Sequence, residues 1–250
     1  MRLVIIGSGN VAMVLGEKFR SSGHNILQIV GRDISKLSEL AASVQADAVT
    51  DVNEMSPAAD VYLIAVSDDA IVNISKQLPA VTGVVAHTAG SVSKNELQNS
   101  SEYGVFYPLQ SLKKGVEKGA TIPILVDGNG ERAIAVLTAL AESISELVQV
   151  ASDEERARLH LAATIVNNFS NHLFALAYDF CRKENLSFEL LLPLIKKTVD
   201  SLAGNDPSLL QTGPAKRQDF GTMEKHLILL EDYAQLKEIY VMLSESISRS

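Results

Sequence analysis

The sequence predicts an α/β domain followed by an all-helical one, on three observations. Short Val- and Ile-rich runs alternate with amphipathic stretches over residues 1–150, a pattern that builds a parallel sheet with crossover helices. From Asp153 onward the strand-like runs stop and the apolar spacing is helical. The first apolar run ends in a glycine-rich turn that opens a helix.

The strands are expected at 2–6, 26–30, 61–66, 84–87, 104–107 and 122–126, each bounded by Gly, Asp or Pro. Helices are expected at about 10–22, 34–45, 68–78 and 131–147, then at 153–183, 187–202, 220–232 and 233–247. Ser152 or Asp153 is the N-cap candidate where the helical part begins. The boundary therefore falls near 150, giving domains 1–150 and 151–250. Gly204, Pro207, Gly213 and Pro214 make 203–219 an expected long ordered loop.

Composition removes several functions. Of the 250 residues, 46% are apolar and 21% charged, which excludes wholesale disorder. The net charge is −8 and neither half is basic, so nucleic acid and anionic membrane are not expected partners. Cys181 is the lone cysteine, so neither an intrachain disulfide nor a Cys-rich zinc site is expected, and no metal is expected. The four apolar residues before Gly7 are too few for a secretory signal, and a cytoplasmic location is expected. Residues 159–178 carry no Asp, Glu, Lys or Arg, yet His160, Asn167, Asn168, Ser170, Asn171 and His172 make them too polar for lipid. They are read as a buried helix.

Gly7-Ser8-Gly9-Asn10-Val11-Ala12 follows the first strand and opens the first helix. This is GxGxxA, the dinucleotide fingerprint of a Rossmann sheet. Gly7 permits the tight turn, Gly9 lets the backbone approach a pyrophosphate, and Ala12 lets helix and strand pack closely. The helix N-terminus aims free N–H groups at the phosphates. Ser8, Asn10 and Val11 join Gly7 and Gly9 as cofactor contacts. The second strand ends Val30-Gly31-Arg32-Asp33. An acid at the strand end would bind ribose hydroxyls, whereas Arg32 can pair with a 2′-phosphate. Asp33 could cap the next helix, so NADP is the expected cofactor. Val66 and Ser67, at the end of another strand, would border its ribose; Ser67 could equally be a helix cap.

His160, Thr164, Asn167 or Asn168, and Asn171 form a polar stripe at helical spacing. Buried amides need partners. These would be a substrate and the nicotinamide amide, or else other helices or a second subunit. His160 can give or take a proton near neutrality, which hydride transfer at a carbonyl requires. It is the acid/base candidate, and Asn168 would orient the substrate. His87 ends a strand and could face the cleft or merely close the strand. Gln110 lies in the turn Tyr107-Pro108-Leu109-Gln110-Ser111, which would border the substrate. Arg217 could bind a substrate carboxylate, oriented by Asp219.

These residues carry a resemblance over nearly the whole chain. The fingerprint, His87-Thr88-Ala89-Gly90-Ser91, Tyr107-Pro108-Leu109-Gln110, His160 with Asn167-Asn168, and Thr212-Gly213-Pro214-Ala215 with Arg217 and Asp219 resemble the Rossmann-like NADP oxidoreductases whose C-terminal part is domain of unknown function 2520. More distantly the layout is similar to pyrroline-5-carboxylate reductase, F420-dependent NADP reductase and the hydroxyisobutyrate/6-phosphogluconate dehydrogenases. The resemblance implies an NADP-binding Rossmann domain, a helical domain like the C-terminal one of 6-phosphogluconate dehydrogenase, and a homodimer. The hydroxyacid dehydrogenases use a Lys and an Asn four apart on the first long helix of that second domain. Here no Lys stands there, and His160 with Thr164, or Thr164 with Asn168, has the spacing. The expected function is NADP(H)-dependent hydride transfer to or from a small carbonyl, hydroxyl or imine. The alternatives are hydride exchange with a deazaflavin, or a non-catalytic dinucleotide-sensing scaffold.

Overall fold

Strand β1 (Arg2–Ile6) sends alternate side chains to opposite faces, as strand geometry requires. Leu3 and Ile5 enter one core with Ala12, Leu15, Phe19 and Leu40. Val4 and Ile6 enter another with Tyr62, Ile64 and Ile71. The sheet is thus covered on both faces, which is what permits strands that read as continuous apolar runs.

The computed structural model describes residues 1–115 and 121–249. Its sheet continues with β2 (Asn25–Val30), β3 (Asp47–Val49), β4 (Val61–Ile64), β5 (Val84–His87), β6 (Tyr103–Pro108), β7 (Ile124–Gly128) and β8 (Val148–Val150). The spatial order is β3-β2-β1-β4-β5-β6-β7-β8, and only β6 and β7 pair antiparallel. Helices α1 (Asn10–Ser21), α2 (Ile34–Val44), α3 (Asp68–Gln77) and α4 (Glu131–Glu142) follow β1, β2, β4 and β7. The chain runs outward from β1 through β2 to β3, then returns to the other side of β1 at β4. Ligands bind in such sheets where that reversal opens a crevice beyond the strand C-termini.

Three elements of the sheet region depart from the sequence expectation: the added edge strand β3, the end of α4, and β8. The helix expected to run to 147 stops at Glu142. Ser145 turns the chain by donating to the Ile122 carbonyl at 2.7 Å and accepting from Leu147 N–H at 3.0 Å. The residues beyond add β8 alongside β7.

The chain forms two compact units, Met1–Asn168 and Phe169–Ser250. Strands end at Val150, yet α5 (Asp153–Ala163) belongs to the first unit. A capping box starts α5: Ser152 accepts from Glu155 N–H, and Glu155 accepts from Ser152 N–H. A π-helical turn, Thr164–Phe169, continues it into α6 (Ser170–Lys183).

The second unit holds α6, α7 (Leu192–Asp200), α8 (Phe220–Leu229) and α9 (Ala234–Arg249). A short 3-10 turn, Pro207–Leu210, interrupts the expected loop. His226 and Tyr240 join α8 to α9 by a 2.9 Å hydrogen bond, and Phe180 meets Tyr233 edge-on. Among its described residues only Cys181, Ala215, Leu230 and Ser244 are buried. The reading of 159–178 as a buried helix is corrected: Leu161, Val166 and Phe169 are exposed and lie outside the apolar clusters of the described residues. No described helix is long and apolar enough to cross a membrane.

Candidate cofactor cleft and active site

The fingerprint turn lies at the β1/β4 reversal. Gly7 has φ +129°, and a Cβ there would stand 2.1 Å from the Ala65 carbonyl oxygen. Only glycine fits, because the ends of β1 and β4 converge at this point. Gly7 N–H donates to Val30 and Ala65 N–H to Ile6, which ties three strand ends around the turn. Gly9 is different. Nothing lies within 4 Å of where its Cβ would be, so this side of the turn is open to a ligand. Gly9 caps α1 without a side-chain bond, and no acid occupies the first turn. The first amides of α1 and the positive end of its dipole are therefore available to an anion. Ala12 is fully buried, as the fingerprint requires.

Three hollows adjoin here. A small one is lined by Gly7, Ser8, Gly9, Asn10, Val11, Val66 and Ser67. It shares Gly7, Ser8, Val66 and Ser67 with a hollow of about 700 Å³ that reaches Gly31, Arg32, Asp33 and Lys36. It shares Val11 with a cavity of about 730 Å³ on the opposite side. A long ligand with a pyrophosphate at its middle fits this sequence of spaces. Arg32 is exposed and makes no hydrogen bond or ion pair among the described residues. Asp33 caps α2 by accepting from Lys36 N–H, and that bond lowers its pKa most. The carboxylate at this strand end is thus committed to the helix, and the guanidinium is left for a phosphate. Ser67 stands at the N-cap position of α3 but makes no capping bond with its side chain.

The large cavity is lined by residues of the first unit. His160, Thr164, Asn167 and Asn168 reach it from α5 and the π turn, and Tyr107, Gln110 and Ser111 from the end of β6. Asn167 donates to Ser111 at 2.5 Å. Tyr107 Oη and His160 Nδ1 are 2.8 Å apart, with their rings edge to face. Burial, reinforced by Asp68, raises the Tyr107 pKa and keeps the group a phenol. Gly90 makes room for the pair, since a Cβ there would stand 2.5 Å from His160 Nδ1. His160 Nε2 has no hydrogen-bond partner among the described residues.

His87 is corrected from substrate contact to wall support. It is fully buried and is not among the residues lining the cavity. Its Nδ1 accepts from Ala89 N–H at 3.2 Å, and its Nε2 faces the Ser93 carbonyl at 3.3 Å. Burial, with Arg156 adding to it, lowers its pKa to about 4, so the ring is neutral.

Arg156 was hidden in the acidic run Asp153-Glu154-Glu155, which reads as a solvated helix start. It is 1% exposed. Its guanidinium donates to the Gly90 and Val92 carbonyls and to Asp153 at 2.8 Å. Burial pushes the Asp153 pKa up, but hydrogen bonds from Ser93, Arg156 and Lys94 outweigh it and hold the carboxyl below its usual range. Lys94 in turn pairs with the buried Asp127 at 2.8 Å. This network fixes the Gly90 wall and α5 to the sheet.

The remaining sequence candidates lie in the second unit. Asn171 is exposed on α6. Arg217 precedes α8. Hydrogen bonds from Thr222, with the Arg217 charge adding to them, hold the Asp219 carboxyl below its usual range. Asp219 caps α8, accepting from Thr222 N–H at 3.1 Å and Oγ1 at 2.8 Å.

Comparison with known proteins agrees with this geometry. Residues 2–90 match the family described as NADP oxidoreductase, coenzyme F420-dependent, and residues 122–247 match domain of unknown function DUF2520. No curated protein matches the chain. A provisionally named NADP oxidoreductase from Bacteroides fragilis is 34% identical, with a TM-score of 0.91 over 100% of this chain and 98% of that one. A Thermotoga maritima protein has 23% identity and a TM-score of 0.73, over 99% and 97%. A 1-pyrroline-5-carboxylate reductase from Streptococcus pyogenes has 16% identity and a TM-score of 0.68, over 100% and 99%, and shares the fold. With its cleft, its Rossmann half and the match through its C-terminal half, the chain belongs to the DUF2520 family of NADP oxidoreductase-like proteins.

Proposed function

We propose that the protein is an NADP(H)-dependent oxidoreductase acting on a small carbonyl, hydroxyl or imine compound. The observation that carries this is the Tyr107–His160 pair on the wall of a cavity that meets the dinucleotide groove at Val11. Gly7, Ser8, Gly9, Asn10 and Val11 would hold the pyrophosphate, Val66 and Ser67 would flank the ribose, and Arg32 would take the 2′-phosphate. When bound, the nicotinamide supplies or accepts the hydride.

The chain's own task is then the proton. With the Nδ1 proton held by Tyr107 Oη, His160 exchanges its second proton at Nε2. The imidazolium donates there to a product oxygen or nitrogen, and the neutral ring accepts there in the reverse direction. Asn168 would orient the substrate, with Asn167 and Gln110 beside it. The F420-type match falls on residues 2–90, the dinucleotide half. It bears on NADP and not on a deazaflavin as the second reactant. Asn171 and Arg217 carry no role in this reading.

The proposal includes a homodimer, supported by the many exposed apolar side chains of the second unit, such as Leu190 at 79% and Leu209 at 83%. It also includes a cytoplasmic location, where the free thiol of Cys181 is kept reduced.

The test is a titration with NADPH and with NADH, followed by nicotinamide emission. NADPH should bind more tightly, and Arg32→Ala should remove about 10- to 100-fold of that preference, the worth of a charge-assisted phosphate contact. Failure of both nucleotides to bind overturns the reading. With a substrate in hand, His160→Gln should keep NADPH binding and lose about 10²–10⁴ in turnover.

A further inference from the structure

Among the described residues that line the large cavity there is one fixed charge, and it is negative. Asp68 is the first residue of α3, immediately after β4, and its carboxylate lines the cavity wall. Ser91 Oγ donates to its Oδ2 at 2.8 Å, which holds it against the turn that contains Gly90. No Lys or Arg is among the described residues that line this space. The guanidinium of Arg156 stands behind the Gly90–Val92 wall with 1% of its surface exposed and pairs with Asp153 at 2.8 Å. His160 is the only imidazole among the described residues of the wall, and Tyr107 engages its Nδ1. The other polar lining is neutral: Thr88, Gln110, Ser111, Thr164, Asn167 and Asn168.

A substrate carboxylate entering this space would meet a like charge and find no cationic partner on its wall. A protonated nitrogen would meet a carboxylate that already has one neutral donor and keeps lone pairs free. We infer that Asp68 selects the charge of the substrate, and that the substrate is a small compound with a protonated nitrogen and no carboxylate. The inference rests on the oxidoreductase reading of the same cavity and narrows its substrate class. It also places Asp68, which the sequence shows only as an ordinary acid in a helix's first turn, among the specificity residues.

The experiment uses full-length protein and three size-matched probes: cyclohexylammonium, cyclohexanol and cyclohexanecarboxylate. Binding is measured by calorimetry with and without NADP. The ammonium should bind about tenfold more tightly than the carboxylate, combining an attraction with a repulsion at one partly solvated charge. Asp68→Asn should erase that difference while leaving cyclohexanol unchanged. Equal or tighter binding of the carboxylate, no ammonium binding at millimolar concentration, or an unaltered preference in Asp68→Asn each overturn the inference. Ser91→Ala guards against a variant that fails to fold. It removes the neutral donor, keeps the charge, and should keep the ammonium preference; its loss would equally overturn the inference. NADPH titration of the same samples separates the two readings. Failure of NADPH to bind removes the oxidoreductase reading. NADPH binding without charge selection removes only the role of Asp68.

Discussion

The two units of this chain bury their apolar side chains to very different degrees. In the first, both faces of an eight-stranded sheet are closed by helices of the same chain, and residues such as Phe106, Leu15 and Tyr62 have no exposed surface. In the second, four described residues are buried, while Leu194 is 64% exposed and Phe220 69%. Similar helical periodicity therefore gave two outcomes. The helices that cross over between parallel strands have a sheet to cover. The later helices present apolar faces that stay exposed among the described residues.

The largest expected effect tests this contrast directly. Phe106 packs edge-to-face against Phe19 at 5.6 Å, so Phe106→Ala should cost about 3–5 kcal/mol, equally at every protein concentration. Leu194→Ser should instead make the melting temperature of the variant more sensitive to dilution, since the proposed homodimer would supply its partner atoms. Light scattering on the wild type is the check. A 26.9 kDa species at micromolar concentration would break the comparison.

A somewhat smaller effect sharpens it within the first unit. His87 has an ordinary pKa of 6.5 and a native value of about 4. Between these values the unfolded chain takes up a proton that the native ring refuses. The resulting stability is complete above pH 6.5 and is lost as pH falls through about 4, amounting to about 3 kcal/mol. Urea unfolding between pH 7 and 4.5 should show this slope, and His87→Asn should flatten it. An unchanged slope would mean the ring is not held neutral. The smallest effect is at the join between the helices and the sheet. Ser152→Ala removes the cap of α5 and should cost about 1 kcal/mol by the same measurement.

How much of this was legible follows from the range of each interaction. The β1–Gly7–α1 unit is local, so its residue order carries its geometry. The edge strands β3 and β8 have three residues each, too short to show a period. The antiparallel direction of β7 leaves no mark on apolar spacing, since both orientations alternate by two. The cleft-side residues Val66 and Ser67 follow from the rule about strand C-termini, whereas His87 obeys the same rule and is nevertheless buried. What separates them is the backbone taken up by each His87 nitrogen, a fact of the folded turn. Tyr107 and His160 are 53 residues apart, and only the packing of α5 on β6 makes them a pair. Arg156 sits among acids at a helix start, where the surface reading is the natural one. The buried carbonyls that claim it come from a turn 64 to 66 residues earlier.

The π turn at Thr164–Phe169 sets which of its side chains reach the cavity: Thr164, Val166, Asn167 and Asn168 do. In a regular α-helix each residue advances the direction of its side chain by about 100°. Removing a single residue early in this turn would restore ordinary α-helical hydrogen bonding and turn the side chains that follow within it by roughly that angle. Asn167 and Asn168 would then leave the cavity wall. One surplus residue thus acts as the clock setting of the cavity wall.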